Sequence, residues 1–160
     1  MSYRPLSRYL RNPVLILSLL TILQGIFPSP SLGRTPQQMG VTQLRETALS
    51  HISKGAYQEG IPVFEELVRR FQFAQDDDRQ LLEGVYLFLG LGYMQEYGST
   101  RNPGSLDRAL ETFEQYEANF PNGSRRHLLY LFRADCFRGL GKWEAAATSL
   151  ITALSEPLSF

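Results

Sequence analysis

The sequence predicts an all-α fold: three helix-turn-helix pairs stacked as a short right-handed solenoid, preceded by an apolar signal helix. Two observations carry that prediction. No segment shows the alternation of a strand, whereas apolar residues recur at helical spacing. One layout also returns three times: an apolar helical stretch, a turn with glycine and an aromatic residue, then a second helix.

The elements follow in chain order. Arg4, Arg8 and Arg11 form a positive leader ahead of the apolar run 14–27 (VLILSLLTILQGIF), and the breaker-rich PSPSLG follows. Ser31 and Gly33 are small residues at the −3 and −1 places of a cleavage after Gly33. A helix needs about 20 apolar residues to cross the hydrocarbon core, and this run is shorter. Residues 1–33 therefore read as an export signal, with an uncleaved anchor through 14–27 as the alternative. No Arg-Arg pair suggests a twin-arginine route, and no cysteine follows the cleavage point to take a lipid. Residues 34–41 read as a linker. The repeat domain then spans 42–157, with pairs at about 42–74, 83–123 and 127–157.

Within it, Lys54-Gly55-Ala56-Tyr57 and Leu140-Gly141-Lys142-Trp143 occupy equivalent turns. The two glycines lie 86 residues apart, or two periods of 43. The turn glycines suit left-handed backbone, and Gly60, Gly90 and alanines suit a close helix crossing. Tyr57 and Trp143 are expected to cover the apolar seam of their hairpins. In the middle pair, residues 98–104 (GSTRNPG) read as about seven extra residues of surface loop, either merely tolerated or touching a partner. Ala145, Ala146, Ala147, Leu150, Ile151, Ala153 and Leu154 surround the last helix with apolar surface. That end calls for cover by the Pro157-Leu158-Ser159-Phe160 tail, a second copy or a partner.

This layout resembles the tetratricopeptide repeat. The resemblance rests on Leu89-Gly90, Tyr93, Ala109, Phe113, Tyr116 and Pro121 in the second pair. The third supplies Ala134, Phe137, Gly141, Trp143, Ala146, Leu150, Ala153 and Pro157, and the first Ala48, Gly55, Tyr57, Gly60, Phe64 and Leu67. The phrases AYQEGIPVFEELVRRF and ALETFEQYEANFPNGS are similar to repeats of the outer-membrane β-barrel assembly lipoprotein and of the periplasmic repeat protein accompanying the Tol–Pal system. The resemblance implies a protein–protein adaptor or assembly scaffold in a bacterial envelope, with no catalysis and no cofactor. Unlike the assembly lipoprotein family, with five repeats and a lipidated cysteine, this chain has three repeats and no cysteine near the cleavage point.

In such arrays the first helices of successive pairs line a concave groove. The positions that map there are Arg45, Leu49 and Ile52, then Leu87, Leu91 and Met94, then Leu128, Leu131, Asp135 and Arg138. This groove is apolar along its middle and charged at its rims, suited to an apolar helix or extended segment of another envelope protein. Leu87, Leu91, Met94 and Leu131 are the expected anchors. Arg45, Leu49, Phe88, Leu128 and Phe132 stand where a carboxylate clamp would place polar groups, which argues against that class.

Charge and chemistry narrow the function further. Lys+Arg and Asp+Glu both number 16. Three of the arginines precede residue 34, which leaves 13 basic against 16 acidic residues beyond it and no cationic field for nucleic acid. The single cysteine, Cys136, excludes an internal disulfide and reads as a small buried hydrophobe, with a reactive thiol as the alternative. His51 and His127 lack metal-ligand spacing, and Asp76-Asp77-Asp78 lacks that of a calcium loop. Glu65, Glu66, Glu111, Glu114 and Glu117 read as solvated faces. The expected function is therefore an exported protein-binding module. Alternatives are a membrane-tethered module that self-associates through its C-terminal helix, an accessory subunit of an envelope enzyme, or a small hydrolase using Cys136 or His127.

Overall fold

The computed structural model describes residues 35–71 and 79–156; these form six α-helices and no strand. They are α1 (Val41–Lys54), α2 (Tyr57–Phe71), α3 (Arg79–Thr100), α4 (Pro103–Asn119), α5 (Arg126–Gly139) and α6 (Trp143–Ser155). The expected signal, the run Asp76–Asp78 and the tail from Pro157 lie outside the described residues.

Local chemistry sets each reversal. Gly55 (φ 67°) and Gly141 (φ 73°) both adopt the left-handed conformation expected of them. Their turns close with one hydrogen-bond pattern: Ala56 N–H donates to His51 O at 2.9 Å, and Lys142 N–H to Phe137 O at 2.8 Å. That six-to-one closure satisfies carbonyls a helix end otherwise leaves bare. Between α3 and α4 the chain turns differently. Arg101 takes the left-handed place (φ 58°), and the Asn102 side chain caps α4 by accepting from Gly104 N–H at 3.1 Å, with Pro103 as first helical residue.

The expected surface loop over 98–104 is therefore corrected. Gly98, Ser99 and Thr100 continue α3, and only Arg101 and Asn102 lie between the helices. Thr100 and Ser99 hydroxyls donate to the Glu96 carbonyl, which keeps this stretch in the helix. The linker expectation changes as well. Pro36–Gln38 form a 3-10 turn held by Arg70, whose guanidinium donates to the Pro36, Gln37 and Met39 carbonyls.

Each helix packs chiefly on its neighbours in sequence, so α3 lies against both α2 and α4. Leu44, Phe64, Leu67, Phe113, Tyr116, Leu129 and Cys136 have no exposed surface and mark the core. One register recurs where a second helix meets the next first helix. In α2, Tyr57, Gly60 and Phe64 are buried; Tyr57 stacks on Phe88 of α3 at 5.7 Å between ring centroids, and Phe64 lies 6.4 Å from it. In α4, Leu106, Ala109 and Phe113 stand at the same spacing and are buried; Phe113 stacks on Phe132 of α5 at 6.1 Å.

Small residues permit the close approaches. A Cβ on Gly92 would lie 2.7 Å from the Tyr57 carbonyl oxygen, one on Gly90 2.1 Å from the Phe113 ring, and one on Gly139 2.6 Å from Leu106. α6 breaks the register. Trp143, Ala146 and Leu150 hold the equivalent places, yet Trp143 is 67% exposed and Leu150 46%. Trp143 therefore does not cover its hairpin seam as expected: Tyr57 is covered by α3, and no described helix follows α6.

Candidate functional site

The groove positions share one register on the first helices: Arg45, Leu49 and Ile52 on α1, Leu87, Leu91 and Met94 on α3, Leu131, Asp135 and Arg138 on α5. The structure does not leave them equally open. Leu87 is a core residue, 4% exposed, and is withdrawn as an anchor because neighbouring helices already cover it. Ile52, Leu91 and Met94 are half-buried and pack against the core. Leu49 and Leu128 are half-buried too. Arg45 lays its guanidinium 5.1 Å above the Phe71 ring, so its stem and charge belong to the α1–α2 contact. The open part lies on α5, where Leu131 is 41% exposed beside the ion pair of Arg138 with Asp135. Burial pushes the Asp135 carboxyl above its ordinary range, with Arg138 opposing.

Four carboxylates are engaged by other side chains, Glu66 within α2 and the other three between helices, and two of them overturn the solvated-face reading. Glu66 is buried and takes Arg69 at 2.6 Å and Arg70 at 2.6 Å. The Arg69 hydrogen bond, reinforced by Arg70 against an opposing cost of burial, holds its carboxyl down at about 2. Glu117 is half-buried and accepts from Tyr130 and from Arg133 at 2.7 Å, linking α4 to α5. Glu65 is exposed but accepts from Tyr93 at 2.5 Å and Arg108 at 2.7 Å, so it bridges α2, α3 and α4. Glu111 and Glu114 remain exposed as expected.

The fourth carboxylate was missed from sequence. Glu83 stands inside the apolar run Leu81–Leu89 of α3 and is buried. It accepts from the Tyr116 hydroxyl at 2.5 Å, the Arg125 N–H at 3.0 Å and the Ser124 hydroxyl at 3.3 Å. Burial first, then the Glu83 hydrogen bond, pushes the Tyr116 hydroxyl well above its ordinary range. The signal available was a lone charge amid residues spaced for burial, which demands a partner. Beside it opens a cavity of about 550 Å³ lined by Arg79, Glu83, Phe120, Asn122, Ser124 and Arg125 among others. Both Glu83 oxygens already accept hydrogen bonds, so the cavity offers no spare acid.

The sequence's candidate reactive groups are Cys136 and His127. Cys136 is fully buried, and burial, aided by Asp135, drives its thiol far from the reactive thiolate. Burial lowers both histidines, His51 and His127. Among the described residues no three His, Cys, Asp or Glu side chains gather to hold a metal, and no helix is long and apolar enough to cross a membrane. The chain matches no family model, no curated protein and no solved structure.

Proposed function

We propose that the chain is an exported, non-catalytic protein-binding module of tetratricopeptide type, an adaptor or assembly scaffold in a bacterial envelope. The observation that carries this reading is the recurring register, in which Tyr57-Gly60-Phe64 and Leu106-Ala109-Phe113 bury against the following first helix. Helix pairs that cover one another in this way make an extended surface from α1, α3 and α5, whose business is contact rather than reaction. The inert placement of Cys136 supports the non-catalytic part. Leu91, Met94, Leu128 and Leu131 supply the apolar floor in this reading, and Asp135 with Arg138 the charged rim.

A photo-crosslinking residue at Leu131, in intact cells of the source organism, tests the groove against a control at Glu114, which is exposed on α4. A discrete adduct from the first site alone is expected, lost when Leu91→Asp is added with circular dichroism unchanged. Equal labelling from both sites counts against the groove. The mass of the same purified protein tests export: a chain starting at Arg34 supports it, whereas one retaining residues 14–27 selects the tethered alternative.

A further inference from the structure

We propose that α6 is a homotypic docking helix that pairs two copies of this chain tail to tail, antiparallel and related by a two-fold axis. Six large apolar residues are well exposed among the described residues, and four of them lie on this one helix: Trp143, Leu150 (46%), Ile151 (68%) and Leu154 (87%). With exposed Ala147 they follow helical spacing and form one stripe about 100° wide. The inward face carries only Ala146, Ser149 and Ala153. Trp143 and Leu150 repeat the places that Tyr57 with Phe64, and Leu106 with Phe113, use to bury against the next helix. The stripe thus continues a packing surface already used twice in the stack.

Two observations select the occupant. First, the other end of the stack cannot serve. Phe88 and Gly92 on α3 meet Tyr57 of α2, and Phe132 on α5 meets Phe113 of α4; α1 carries half-buried Glu46 and Ser50 at those places. Head-to-tail growth would bury that polar face against the apolar stripe, at a desolvation cost.

Second, the stripe complements itself. In an antiparallel register centred between Thr148 and Ser149, Trp143 faces Leu154 of the second copy at the ends of the stripe, and small Ala147 faces Leu150 at its middle, where the helices come closest. No charge interrupts the stripe, since the single ionisable residue of α6, Glu144, stands at its edge. Such a contact is isologous and closes at two copies.

Trp143 is the sole tryptophan of the chain, so its emission reports this face alone. Analytical ultracentrifugation of the full chain across a dilution series is expected to show dimer passing to monomer, with the emission moving to the red in step. Mixing Trp143→Cys with Leu154→Cys should give a mixed disulfide several-fold in excess of either homodimer, because only the mixture places the two thiols opposite each other. Ile151→Glu should be monomeric at every concentration with unaltered helicity. A monomer throughout the series overturns the proposal: with blue emission a segment of the same chain covers the stripe, and with red emission it stays bare. Homodisulfides as abundant as the mixed species overturn the antiparallel register even if Ile151→Glu fails to fold.

Discussion

Single residues decide how close the helices come and at what pH they stay together. The Gly92 backbone lies so near the Tyr57 carbonyl that a methyl group there would force α3 away from α2. Gly92→Ala should therefore lose about 1–3 kcal/mol in urea unfolding, the cost of overpacking. Gly84→Ala meets nothing nearer than Phe88 at 3.8 Å and should gain roughly 0.5–1 kcal/mol, because alanine loses less backbone freedom in a helix. Equal effects at the two sites would show that the close approach does not matter. Glu66 sets an acid limit. Its carboxyl is held at about 2 in the folded chain, below the ordinary 4.5. Its stabilisation is therefore complete above 4.5 and fades as pH falls through 2. Arg69 is largely exposed, so screening weakens the pair. Glu66→Gln should lower stability at neutral pH, and the difference should shrink as pH falls from 4.5 through 2; a constant difference across the range would assign the loss to packing instead.

At the scale of elements, α6 stands apart. Every other helix buries at least one leucine or aromatic side chain, whereas α6 buries two alanines and a serine. Burial of a few methyl groups contributes little, at about 25 cal/mol per Å². Amide exchange should be fastest in α6 and slowest in α3 and α4 when the chain is dilute, and α6 should gain protection as concentration rises; uniform exchange would contradict this ranking. Helix existence was legible in the sequence because the apolar spacing and the turn glycines report on neighbouring residues. The end of α3 was not, since Gly98 and Ser99 carry loop propensity that the Glu96 carbonyl and the packing of Tyr97 override. Glu83 escaped for a related reason: its partners come from segments 33 to 42 residues away, and no local pattern announces them.

For the whole molecule, sequence predicted the all-helical class better than the openness of the helix surfaces. Leu87 and Leu131 share a register, yet one lies in the core and the other at the surface, because α3 has helices on both sides and α5 is followed only by small-faced α6. Burial depends on what lies beyond a helix, which a helical wheel cannot state. The strap at the other end has a temporal implication. Arg70 grips the carbonyls of Pro36, Gln37 and Met39, only a few residues past Gly33. Were Gly33–Arg34 the scissile bond, a peptidase that binds its substrate in extended form would compete with α2 for the same stretch of backbone. Maturation would then have to run ahead of folding, and a chain that folded early would keep its leader.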